Sequence, residues 1–226
     1  LAQTMVDIGK LAGKPVVAVI TSMAQPLGTH IGNALEVKDA IDVLAGRTQG
    51  DLLEISLLLG SHMLVLAEKA KTLPEARAML ENALSSGAGL RKLAEMIAAQ
   101  GGDPRVVEDL SLLPQAAVKR VMRAETVGYL SAMDTTALGM AAQRMGAGRA
   151  KKSDMLDYSV GYVLHVRLGD EVTEDTPLAT LYARNEAEAE EAEKAIRKAL
   201  TIARKKPQTP KLWDAVVTAE GITYNR

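Results

Sequence analysis

Residues 24–39 read Ala24-Gln25-Pro26-Leu27-Gly28-Thr29-His30-Ile31-Gly32-Asn33-Ala34-Leu35-Glu36-Val37-Lys38-Asp39. A Pro-Leu-Gly turn and a Gly-Asn pair separate a β-branched apolar run at 15–20 from an amphipathic stretch at 33–44. Strand, loop and helix in that order point to an α/β layer rather than a helical bundle. The 15–20 run predicts a strand buried on both faces. In the helix, Leu35, Val37, Ala40, Ile41 and Leu44 mark one broad apolar face. Such a loop can turn several carbonyls toward one point, with a carboxylate on the next helix closing the site. The same residues also make an ordinary turn with Asp39 on a solvated face, and residue types alone leave both readings open.

Outward from this stretch the pattern stays helical for some seventy residues. Residues 50–69 are apolar over most of a helix circumference, which predicts deep burial. Thr72-Leu73-Pro74-Glu75 has capping-box spacing and opens a further helix that Gly87 stops, and residues 90–99 form another. After Pro114 the period shortens. Strands are expected at 118–122, 127–133, 160–168 and 177–182, with a short helix at 135–145. Residues 184–206 predict a charged helix, acidic early and basic late, with Glu190–Lys194 and Glu193–Arg197 as i,i+4 pairs on a solvated face. Leu1, Met5, Val6 and Ile8 follow helical spacing with no capping residue ahead of them, so the chain is expected to begin inside a helix, as a truncated chain would.

Composition narrows the function classes. The 226 residues carry a net charge of −1, which provides no broad electrostatic footprint for nucleic acid. The absence of cysteine excludes disulfides, thiolate metal sites and a cysteine nucleophile. No apolar run approaches the roughly 18 residues of a membrane span. A soluble, cytoplasmic protein with no membrane partner is expected.

Several blocks stand in a familiar order. They are Met5-Val6-Asp7-Ile8-Gly9-Lys10, the 25–39 block, Leu59-Gly60-Ser61-His62-Met63 and Ala98-Ala99-Gln100-Gly101-Gly102-Asp103. Gly146-Ala147-Gly148-Arg149-Ala150-Lys151-Lys152 and Gly161-Tyr162-Val163-Leu164-His165 complete them. In these blocks the chain resembles the C-terminal half of the pyrimidine-nucleoside phosphorylases, a family that includes thymidine phosphorylase. The resemblance implies an α/β fold: the distal part of a sheet-plus-helices domain over 1–115, then a small β-rich, barrel-sandwich-like subdomain with its charged helix over 116–206, and a tail at 207–226. It implies an enzyme, a pentosyltransferase that cleaves uridine or thymidine with phosphate to the free base and a pentose 1-phosphate.

The family's Lys-His-Ser-Thr-Gly-Gly phosphate loop and its Arg, Ser and Lys contacts to the base belong upstream of Leu1. No catalytic or substrate-binding residue is therefore carried over, and the chain alone is expected to be inactive. One site is carried over. The resemblance implies a potassium ion held by the backbone carbonyls of Leu27 and His30 and by the Asp39 carboxylate, oxygen donors that suit a large monovalent cation. The acidic position is usually Glu, so Asp39 is one methylene short, and His30 stands at a variable position. A homodimer is expected of the full-length enzyme, through a helical lobe that is also upstream.

Other candidates read as structural. His30, His62 and His165 lack zinc spacing, and His62 on an apolar helix is expected to be a hydrogen-bonded core residue. Gly146-Ala147-Gly148-Arg149 is able to present N–H groups to an anion, but reads first as a helix stop. The Gly169-Asp170-Glu171 turn resembles a biotin- or lipoate-carrier hairpin without the lysine. Two alternatives to the phosphorylase half remain: a non-catalytic fragment or degenerate paralogue with an exposed apolar docking face, and a relative acting on thymidine only or on a nucleotide such as AMP.

Overall fold

The computed structural model describes residues 1–225. In chain order the elements are α1 (Ala2–Leu11), β1 (Ala18–Thr21), β2 (His30–Ile31), α2 (Asn33–Leu44), α3 (Asp51–Leu66), α4 (Leu73–Ser85) and α5 (Ala88–Ala99). Then follow β3 (Val118–Arg123), β4 (Gly128–Met133), α6 (Thr135–Ala142), β5 (Gly161–Leu164), β6 (Glu171–Val172) and β7 (Pro177–Ala183). The last are α7 (Glu186–Ala199), β8 (Leu200–Ala203), β9 (Trp213–Thr218) and β10 (Gly221–Tyr224). The fold is mixed α/β with small antiparallel sheets. Compactness divides the chain into one unit of residues 1–22, 43–90 and 210–226, and another of residues 23–42 and 91–209. These units interleave along the sequence and cut across the expected boundaries at 115 and 206.

In the first unit β1, β9 and β10 form a sheet in that order, with Ala18 opposite Val217 and Ile20 opposite Ala215. Residues 207–226, expected as a tail, thus supply two strands. β1 lies at an edge and Ile20 is exposed, so the run expected to be buried on both faces is only half covered. α3 packs on α4 through Leu53 and Leu57, with Leu80 and Leu84 against them. The predicted deep burial of α3 fails on its other side, where Leu59, Met63 and Leu66 are exposed. A helix apolar all round needs neighbours all round, and α4 covers one face. At α4 half of the capping box forms: Thr72 Oγ1 accepts from the Glu75 N–H at 3.3 Å, while the Glu75 carboxylate accepts from the N–H of Lys71, one residue ahead of the cap, at 2.8 Å.

The second unit holds the larger core, between a four-stranded sheet in order β2-β5-β7-β3 and a three-stranded sheet in order β6-β4-β8. α6 and α7 pack together beside it. Tyr162, fully buried on β5, donates its hydroxyl proton to the Leu138 carbonyl at 2.8 Å, and burial pushes its pKa up. The helix predicted over 184–206 ends at Ala199. Leu200 adopts extended geometry and β8 pairs with β4, because Leu200 and Ile202 alternate into the core where a helix would carry one of them away. Both predicted ion pairs are present, Glu193–Arg197 at 2.9 Å and Glu190–Lys194 at 3.4 Å, and Glu193 also meets Arg120 at 2.7 Å. Among the described residues no helix is long and apolar enough to cross a membrane.

Candidate functional site

The loop that decides the fold lies wholly in the second unit. At its C-terminal end the Glu36 carboxylate accepts from the Gly32 N–H at 3.3 Å, just ahead of α2, and Gly32 itself has φ 136°. The Asn33 side chain donates to the Ala147 carbonyl at 2.8 Å, which ties the start of α2 to the Gly146–Gly148 turn. At the N-terminal end the Thr29 carbonyl accepts from the Leu164 N–H at 2.8 Å, joining the loop to β5. Alternation along β2 turns the next carbonyl, that of His30, to the opposite edge of a strand that has a sheet neighbour on one side only.

Asp39 is 4 % exposed. The solvated-face reading of this carboxylate is thereby overturned, and the predicted helix face is corrected in part: Leu35 and Ile41 are buried as expected, together with Ala34, Asp39 and Asp42, while Val37 and Ala40 face out. At 100° per residue, positions 34, 35, 39, 41 and 42 share a side that 37 and 40 do not. One Asp39 oxygen accepts from the Thr29 N–H at 3.3 Å, and the other lies 3.4 Å from His30 Nδ1. His30 Nδ1 is also 3.0 Å from Thr29 Oγ1. The His30 side chain therefore packs on the acid, a contact that a reading of its carbonyl alone had not foreseen. Burial lowers the His30 pKa and outweighs the raising effect of Asp39, so the imidazole beside the carboxylate is held neutral.

The carbonyls of Pro26, Leu27 and Gly28 converge on Arg167. Its Nη1 donates to Pro26 at 2.6 Å and to Gly28 at 3.4 Å, and its Nη2 to Leu27 at 3.4 Å. Nothing in the sequence singled out Arg167, which stands 139 residues from Gly28 in the chain. His30 and Asp39 are thus brought together, while the Leu27 carbonyl is held by the Arg167 guanidinium.

The remaining candidates are structural. His165 Nε2 lies 2.7 Å from Thr180 Oγ1. His62 does not make the hydrogen bond expected of it: its Nε2 is buried without a partner on α3. The Ala150 and Lys151 N–H groups after the Gly146–Gly148 turn both donate to the Asp154 carboxylate, at 3.0 and 2.8 Å, so the anion they hold is the chain's own. Among the described residues no group of three or more His, Cys, Asp or Glu side chains is placed to hold a metal ion.

Burial lowers the pKa of all three histidines. Below their ordinary value, about 6.5, the unfolded chain takes up protons that the folded chain refuses, so stability falls with pH. The melting temperature is expected to drop steadily from pH 7.5 to 5.5 in scanning calorimetry. A midpoint that rises on acidification would show that the histidines are not held neutral.

Comparison with known proteins covers most of the chain. Residues 1–90 match the profile described as the a/b domain of a glycosyl transferase family, and residues 129–203 match the pyrimidine nucleoside phosphorylase C-terminal domain. The pyrimidine-nucleoside phosphorylase of Geobacillus stearothermophilus is 49% identical over 186 residues, 82% of this chain and 43% of that protein. This chain belongs to the pyrimidine-nucleoside phosphorylase family. The phosphorylase of Bacillus subtilis gives the same figures, and that of Staphylococcus aureus is 43% identical over 203 residues, 90% of this chain and 47% of that protein. The match spans less than half the length of these phosphorylases. The C-terminal-domain match lies entirely within the second unit, and the a/b-domain match includes the whole 25–39 loop.

Proposed function

We propose that this chain is one part of a phosphorylase acting on pyrimidine nucleosides, uridine and thymidine, in the cytoplasm. In the whole enzyme a phosphate oxygen attacks the anomeric carbon as the C–N bond breaks. The electron pair leaves on the pyrimidine, which takes up a proton, and the products are the base and a pentose 1-phosphate. Stabilising the negative charge that develops on the departing base is the main electrostatic task. Residues for that task, and for holding phosphate, are assigned to the remainder of the protein. The observation that carries this reading is 49% identity to a pyrimidine-nucleoside phosphorylase over 82% of this chain. The apolar residues Met5, Ile8 and Leu11 exposed on α1 support a docking role within a larger assembly.

The 25–39 loop is read as this chain's share of a potassium site, through the Leu27 and His30 carbonyls and the Asp39 carboxylate. The donor chemistry fits. Asp39 is a buried carboxylate whose contacts, a 3.3 Å backbone N–H and a neutral imidazole at 3.4 Å, leave its charge weakly compensated. The Leu27 carbonyl takes one long contact and keeps a lone pair. When bound, the ion supplies positive charge that ties this loop to the rest of the enzyme.

The test is phosphate-dependent release of uracil from uridine, with this chain alone and then with the N-terminal half of the Geobacillus enzyme added. No release alone and release on mixing is the expected result. Release by the chain alone would place the catalytic residues within these residues after all. No release in either case, with a complex demonstrably formed, would favour a non-catalytic paralogue.

A further inference from the structure

Three successive carbonyls aimed at one point repel one another, so a turn that holds them there needs a positive charge at the focus. In the 25–28 turn that charge is the Arg167 guanidinium, with its strong bond to Pro26 at 2.6 Å and its longer ones to Leu27 and Gly28. The planar guanidinium carries five donors in a fixed fork, which lets one side chain serve several acceptors at set angles. Arg167 is itself held in place: its backbone N–H donates to the Asp170 carboxylate at 2.7 Å, which closes the 167–170 turn. The next residue adds a second tie, because the Leu168 N–H donates to Gln25 Oε1 at 2.9 Å. The segment between β5 and β6 therefore grips the loop from Gln25 to Gly28 at consecutive points.

We propose that Arg167 is the positioning residue of the cation loop: by gripping the Pro26–Gly28 carbonyls it sets the direction in which the Leu27 carbonyl, the His30 carbonyl and Asp39 meet a monovalent cation. This rests on the potassium reading of the loop. The guanidinium's short bond is to Pro26 and its contact with Leu27 is long, so the Leu27 oxygen keeps a lone pair for a second partner.

Hydrogen–deuterium exchange of peptides spanning 24–31, with this chain in complex with the N-terminal half of the Geobacillus enzyme, tests this in potassium chloride against choline chloride at equal ionic strength. In the wild-type chain potassium is expected to slow exchange about threefold, the size of effect a site filled to twice its Kd produces. Arg167→Gln keeps a shorter stem and an amide NH2 but removes the charge, and is expected to abolish that slowing. Arg167→Lys is expected to restore at least part of it. Amides of β3 and β7 report whether each variant remains folded, and any variant that loses their protection yields to the other. An undiminished potassium effect in either Arg167→Gln or a folded Arg167→Ala overturns the assignment while the cation reading stands. A larger effect in Arg167→Gln also overturns it, since Arg167 would then compete with the ion. No potassium effect in the wild type overturns the cation reading, and this inference with it.

Discussion

Replacing Gly161 by alanine is expected to cost about 2–4 kcal/mol of folding stability, a melting-temperature loss of about 5–15 °C in a chain of this size. Gly161 opens β5 at φ 148°, and a Cβ there would lie 2.1 Å from the Ile31 carbonyl oxygen and 2.9 Å from the Gly32 Cα. Both are backbone atoms, so no side chain can rotate away, and β2 would have to leave β5. The reciprocal contact is as tight, since a Cβ on Gly32 would lie 2.4 Å from the Val160 carbonyl oxygen. Gly221 is the natural control: its φ of 146° is nearly the same, but nothing lies within 4 Å of its missing Cβ. Gly221→Ala therefore measures strain alone, about 1–2 kcal/mol. Calorimetry on both variants separates the two terms, and equal losses would mean that the β2–β5 approach is not the constraint. Because His30 lies on β2, Gly161→Ala is also expected to disturb the candidate site.

Asp39→Ala is the second substitution with a large expected effect, about 1–3 kcal/mol, because it leaves the Thr29 N–H without its acceptor in a part-buried setting. Asp39→Asn separates hydrogen bonding from charge. The amide keeps an oxygen for Thr29 and nearly the same volume, so most of the stability should survive, while any slowing of loop exchange by potassium should vanish. Chemical denaturation gives the first quantity and exchange in potassium or choline chloride the second. If Asp39→Asn retained the full potassium effect, the carboxylate would not be a ligand.

Both substitutions act on features that differ in how far the sequence discloses them. The Thr72 cap, the i,i+4 pairs of α7 and the β3 and β4 strands were legible, because each depends on residues a few positions apart. The error over α7 shows the limit. Charge order predicted a helix through residue 206, yet Leu200 and Ile202 gain more by alternating into a core that local pattern does not reveal. The reverse happened at α3 and β1, whose apolar sequences predicted fuller burial than they have. Burial belongs to the neighbours an element finds, and residue type states only what it would accept.

At the site, the Pro-Leu-Gly turn, the Gly-Asn pair and the acid on the following helix were set by sequence alone, since turn and helix chemistry is local. Residue types also determined that the chain carries no cysteine chemistry and no zinc-spaced histidines. Tertiary structure alone decided that Asp39 is buried, that the His30 imidazole rests against it and is held neutral, and that Arg167 holds the carbonyls of Pro26, Leu27 and Gly28. Those facts depend on β2 pairing with β5 at two facing glycines and on a turn some 140 residues along the chain folding back onto the loop. Contacts between segments so far apart leave no period in the sequence, because they are fixed by the packing of the two sheets over one core.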